Sequence, residues 1–373
     1  MNAPDTSIPH RIAFASLRGI TSALADQILA RIGSEEAFFA ATERQLSAMM
    51  GFSNKIFGAD YRNALLEKAE HESHFIDDKG ISPLYYSDDN YPARLRECPD
   101  APLMLYTLGK CDLNDAITIA IVGTRHATPY GLEFTADLVN SLAAQVDHPV
   151  IIVSGLAFGI DIAAHRAAIR AGLPTVAVLA HGLNTIYPAS HRSTASEIAR
   201  GCGMLVTDYT TSAPVTKHNF LARNRIVAGL CDCTMIVESA EKGGAMATAR
   251  IASEYGRDVF ALPGRIADPY SAGCNTLIAR NVAALVTSPD DIIDSMRWQR
   301  KPTEATQQSL FPELSEEETA VMDYLYEHGE ARLNSLSIAL NINIGRLTGL
   351  MIELEFKHLV TPFPGALYRP SRI

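Results

Sequence analysis

ITIAIVGTRHATPYG, residues 117–131, decides the fold. Its first six residues are aliphatic or β-branched without a polar break other than Thr118, the composition of a strand buried on both faces, and Gly123 ends the run at a turn. The same kind of run recurs as VIIVSG (150–155), TVAVLA (175–180), MLVTD (204–208), TMIVES (234–239) and DVFALPG (258–264), with helical stretches between. Alternating strands and helices predict an α/β domain: a Rossmann-type, doubly wound parallel sheet covered on both faces. Such sheets take ligands at the carboxyl ends of their strands, so the residues just after each run carry the functional reading.

Outward from this block, the apolar positions between Arg11 and Ala69 recur at helical spacing, as in Leu24, Ile28, Leu29 and Ile32, and predict a small helical N-terminal domain, residues 1–75. Its Gly-containing turns at 17–21 and 50–53 admit two readings, a plain helix–helix turn or backbone amides holding a DNA phosphate. The α/β domain spans 76–297, and polar, aperiodic sequence at 298–312 reads as a linker. Three helical stretches (316–329, 333–341, 344–360) and a short hairpin (361–370) then predict a winged helix-turn-helix over 313–373. That last domain carries nine acidic residues against five basic, a poor balance for entering a DNA groove.

Composition sets the bounds. The 373 residues are 47% hydrophobic, enough for a sizeable core, and the net charge of −10 argues against a protein that coats nucleic acid over its whole surface, while leaving room for a local basic groove. The start resembles no secretion signal and no run has the length of a membrane span, so a cytoplasmic protein is expected. Six scattered cysteines lack metal or redox spacing and read as small hydrophobes.

At the first strand end, Gly123-Thr124-Arg125 lacks the second and third glycines of a dinucleotide turn, so no NAD or FAD is expected. Arg125 reads equally as a phosphate fork or a structural ion pair. After the second strand, Ser154, Gly155 and Gly159 precede a helix, the layout of a phosphate cradle, while Asp161 and His165 read as a helix cap and its neighbour rather than a metal pair. The densest stretch is KHNFLARNRIVAGL (217–230). A helix from near Asn219 puts Phe220, Arg223 and Asn224 on one stripe, with Ile226, Val227 and Leu230 opposite, and Lys217 just ahead. A ring flanked by cations suits a single nucleic-acid strand, because a base stacks on the ring while phosphates meet the charges; the competing reading makes Phe220 a core residue. Glu238, after the fifth strand, has no paired nucleophile and reads as the ion-pair partner of a helix arginine such as Arg225.

Together YPARLRECPDAPLMLYTLG (91–109), IVGTRHATPYG (121–131), SGLAFGIDIAAH (154–165), FLARNRIVAGL (220–230) and GRDVFALPG (256–264) resemble, in order, the motifs of the DNA-processing protein A (DprA, or Smf) family. The resemblance implies an extended Rossmann domain that binds single-stranded DNA without catalysing a reaction, homodimerises and helps load the RecA recombinase during natural transformation. It places the DNA pocket on Arg125, on Ser154 and Gly155, and on Lys217 and Phe220; the helix stripe adds Arg223 and Asn224, and the strand-end loops add Gly123, Thr124 and Gly159 as a phosphate loop. Phe158 departs from the family's usual Arg or Gln, TDYT (207–210) from its SEYP-like segment, and KGGAMATA (242–249) from its K-S-G-S-like loop. The rival is a nucleotide-processing enzyme of phosphoribohydrolase type, which Glu238 and the Pro263-Gly264 loop would serve; Arg265 stands where that group has a further glycine. A transcription regulator acting through 313–373 is a third reading, weakened by the acidic balance there.

Overall fold

The computed structural model describes residues 7–201, 203–302, 314–357 and 359–371. The expected linker falls largely on 303–313, outside the described residues, as does Cys202. The chain divides into two compact units, Met1–Lys301 and Pro302–Ile373.

The first unit is built on a nine-stranded sheet. Its strands are β1 (Ser82–Tyr85), β2 (Met104–Gly109), β3 (Ile117–Val122), β4 (Val150–Ser154), β5 (Thr175–Val178), β6 (Met204–Thr207), β7 (Cys233–Ile236), β8 (Asp258–Ala261) and β9 (Ala284–Leu285). The six runs expected as strands form β3 to β8, each stopping one to three residues short, where the backbone leaves the ladder for the ligand-facing loops. Strands β1, β2 and β9 enlarge the expected sheet, and the first two make it mixed: β1 and β2 pair with each other and β2 pairs with β6, all antiparallel.

The spatial order is β1-β2-β6-β5-β4-β3-β7-β8-β9. Successive strands from β3 to β6 step to one side, and β7 then returns to the other side of β3. Crevices open at such a reversal, because the helices flanking it lie on opposite faces of the sheet. Registers Ile119↔Ile152 and Ile121↔Met235 lock the three central strands. Ile119, Ile121 and Ile152 pack on one face against Phe134, Leu138, Leu142, Ile160 and Ala164 of helices Pro129–Gln145 and Ile160–Arg170. Ala120, Val122, Ile151 and Val153 face the other way, toward Ile226, Val227 and Leu230 at helix Lys217–Gly229. Burying each such side chain stabilises by about 1.5–3 kcal/mol, which is why both faces read as unbroken apolar runs.

The N-terminal helices Ser7–Ala15, Ser22–Ile32, Glu35–Ala40, Glu43–Met50 and Ala59–Lys79 join the same core through Ile12, Phe14, Ile28 and Phe38. Gly33 and Gly51 stop two of them at positive φ, so those turns serve as helix C-caps. Glu72 of the last helix is buried and accepts from the Thr211 amide through both carboxylate oxygens, at 3.0 and 2.9 Å, and from the Thr211 hydroxyl. The helical region thereby holds the loop that leads from β6 into helix Lys217–Gly229.

In the second unit, helices Glu316–His328, Leu333–Leu340 and Ile344–Phe356 surround Val321, Leu325, Leu336, Leu347 and Leu354. A three-stranded antiparallel sheet of Ala331–Arg332, Val360–Phe363 and Leu367–Pro370 completes the element order of a winged helix-turn-helix. The third helix ends at Phe356 rather than 360, because Val360 already pairs with Pro370. No single helix among the described residues is long and apolar enough to cross a membrane.

Candidate nucleic-acid interface

At the carboxyl ends of β3, β4 and β7 lies a cleft of about 330 Å³. Gly123, Thr124 and Arg125 form one wall; Phe220, Arg223 and Asn224 form the opposite one; Ser239, Ala240 and Gly243 follow from β7. Each position has a local cause. A Cβ at Gly123 would come within 2.5 Å of Ile160, and one at Gly159, whose φ is +76°, within 2.1 Å of the Thr124 carbonyl oxygen, so these two glycines let the β3 loop lie directly on the start of helix Ile160–Arg170. The contact is closed by the Ile160 amide donating to the Thr124 carbonyl at 3.2 Å. Thr124 is fixed from the other side by its own amide, which donates to the Glu238 carbonyl at 2.6 Å.

Arg125 is exposed and, among the described residues, makes no ion pair; its guanidinium stands 5.8 Å from the centre of the Phe220 ring. Phe220 is half-buried, and Tyr187 meets its ring edge-on at 5.5 Å. Helix Lys217–Gly229 begins two residues earlier than Asn219, with Thr216 as its N-cap, which puts Lys217 in the first turn, exposed and likewise without an ion pair among the described residues. Arg125 therefore stands over one accessible ring, Lys217 precedes that ring by one helical turn, and no carboxylate among the described residues pairs with either.

Three of the expected contact residues, Ser154, Gly155 and Arg223, are engaged within the chain. Ser154 is fully buried, its hydroxyl donating 2.7 Å to the Ile121 carbonyl, so it ties β4 to β3 rather than facing a ligand. Arg223 is buried at the cleft floor and donates to the carbonyls of Gly155, at 2.6 Å, and Val178. Gly155 is there to admit it: a Cβ would fall 2.3 Å from the guanidinium. Burial pulls the Arg223 guanidinium below its ordinary value, and the nearby Asp161 charge works against that. Asn224 remains at the cleft edge, accepting from Arg223 Nε at 3.3 Å and donating to the Gly244 carbonyl at 3.5 Å.

The expected phosphate cradle after β4 already holds an anion belonging to the chain. Asp161 accepts from the amides of Gly155 and Ala157, at 3.2 and 3.3 Å, although burial pushes its carboxyl up. Glu238 does not pair with Arg225. It accepts from the Thr128 amide at 2.9 Å and hydroxyl at 2.6 Å at the start of helix Pro129–Gln145, close enough to Gly131 that a Cβ there would lie 2.4 Å from its carboxylate; Arg225 pairs instead with Asp208 at 2.7 Å. Residues missed by the sequence reading are Tyr187, His126 and Tyr270, the last two stacked at 6.1 Å. They come from loops without periodicity; His126 lies just after β3, whereas Tyr187 and Tyr270 are nine residues beyond β5 and β8 and carry no positional signal.

Residues 82–297 match the family described as DNA recombination-mediator protein A. A putative DNA processing protein DprA of Mycobacterium tuberculosis is 38% identical over 267 residues, covering 70% of this chain and 67% of that protein. The DNA processing protein DprA of Streptococcus pneumoniae is 39% identical over 206 residues, 55% of this chain and 71% of its own. Its X-ray structure superposes with a TM-score of 0.61 at 30% identity, over 76% of this chain and 95% of that one. A Helicobacter pylori DNA processing protein A structure, described for its single-stranded DNA binding mode, superposes with a TM-score of 0.52 at 32% identity, over 58% and 95%.

Proposed function

The chain belongs to the DNA recombination-mediator protein A family, and from that premise we propose that it binds single-stranded DNA at the β3–β7 cleft. The observation that carries the reading is the exposed, unpaired Arg125 standing over the accessible Phe220 ring, with a second exposed, unpaired cation, Lys217, one turn earlier on the helix that carries the ring. A base stacks on the ring, phosphates meet the cations, and no base edge is read, which makes the contact tolerant of sequence. The net charge of −10 confines attraction to this groove. Family membership further supports homodimerisation, co-operation with a RecA-type recombinase during transformation, and a cytoplasmic setting. The rival enzymatic reading is disfavoured by Glu238, whose carboxylate oxygens are both engaged by Thr128.

Phe220→Ala and Lys217→Ala separate the two contributions. Loss of the ring costs about 1–3 kcal/mol, roughly 5- to 150-fold in affinity for an oligothymidine, at constant salt slope. Loss of Lys217 lowers the slope of log affinity against log salt by about 0.7. Unchanged binding in both variants, with the fold intact by circular dichroism, overturns the proposal.

A further inference from the structure

Two large aromatic side chains near the cleft stand in water without an evident structural reason. Tyr187 is 51% exposed and Phe158 is 45% exposed, although both sit on short loops at the carboxyl ends of the sheet. Phe158 lies on the loop after β4, immediately before Gly159, whose close approach to Thr124 and Arg125 joins that loop to the β3 wall of the cleft. Its ring meets His191 edge-on at 4.9 Å. Tyr187 and His191 belong to one segment that turns through the short 3₁₀ helix Ala189–His191, so this segment touches Phe220 at one end and Phe158 at the other. Four residues of chain reach at most about 14 Å, an upper bound on the separation of the Tyr187 and His191 backbones. Arg192, next in sequence to His191, is exposed and makes no ion pair among the described residues. An exposed ring and an unpaired cation thus recur: Phe220 with Arg125 over it, and Phe158 against His191, whose neighbour in sequence is Arg192.

Resting on the single-strand reading, we propose that Phe158 and Arg192 form a second platform for an unpaired nucleobase and its phosphate, with Tyr187 lining the path from Phe220. The track then crosses the carboxyl ends of β4 and β5.

Binding of a trinucleotide and of a twenty-nucleotide oligothymidine by the full chain tests this, with Phe158→Ala, Phe158→Tyr and Phe220→Ala compared by fluorescence anisotropy at one salt concentration. Phe158→Ala is expected to weaken the long strand about 5- to 150-fold while sparing the trinucleotide, and Phe158→Tyr to retain affinity. Phe220→Ala weakens both. If Phe158→Ala leaves the long strand unaffected while Phe220→Ala weakens it, the second platform is refuted and the first stands. Equal weakening of both lengths by Phe158→Ala also refutes a separate platform. Insensitivity to Phe220→Ala as well removes the single-strand reading itself.

Discussion

Replacing Arg223 by methionine distinguishes a structural cation from a DNA contact. In the folded chain its guanidinium donates to two buried carbonyls, Gly155 and Val178, and faces the buried Asp161 carboxylate. Hydrogen bonds from a charged donor contribute about 1.5–3 kcal/mol each, and removing one partner from a buried charged cluster typically costs about 3–5 kcal/mol because the remaining groups are left without solvation. A loss of that size is expected for Arg223→Met, read as a fall in the urea midpoint at constant denaturant slope. The salt slope of oligothymidine binding should not change, since it counts only cations that neutralise phosphate, at about 0.7 per contact on single strands. Arg125→Ala should show the converse, a reduced slope with stability within about 0.5 kcal/mol of the parent. The reasoning fails if Arg223→Met costs less than about 1 kcal/mol and lowers the salt slope instead.

Two further outcomes follow from buried groups outside the cleft. Burial holds His165 down at about 3 against 6.5 for the free side chain, while its Nδ1 sits 2.7 Å from Thr175 Oγ1 and its Nε2 has no hydrogen-bond partner among the described residues. Unfolded chains therefore bind the proton first as pH falls below 6.5, and stability should drop by about 2 kcal/mol between pH 6.5 and 5, a component absent from His165→Gln; superimposable pH profiles for the two proteins would contradict it. Glu72→Ala removes the acceptor of Thr211 and should cost about 1–3 kcal/mol, with faster amide hydrogen exchange at Thr211; exchange at the parental rate would show that the loop is held by other means.

The sheet was legible because a strand buried on both faces is a near-continuous apolar run with only an occasional hydrogen-bonded hydroxyl, as Ile119, Ile121 and Ile152 beside Thr118 and Ser154 show. The additions hide for opposite reasons. Strand β1 lies at the sheet edge and contains Pro83, which a central strand excludes, and β9 has two residues and no pattern at all. Within the cleft, helical spacing put Phe220 and Arg223 on one stripe but could not say which points inward. That distinction is written across the sheet, in Gly155, whose missing side chain makes room for the guanidinium. Tyr187 and Tyr270 reach the site from irregular loops, where position in sequence carries no direction.

The Asp161 carboxylate satisfies amides that in many α/β proteins are left for a ligand's phosphate. A site built on backbone amides is nearly immune to point mutation, since every residue but proline supplies the same N–H. Here that route is closed from within, and under the proposed function attraction for an incoming strand falls to Arg125, Lys217 and the rings near them. Such a surface can be retuned one substitution at a time without disturbing the loop beneath it, so strand affinity and fold stability are free to change independently among relatives.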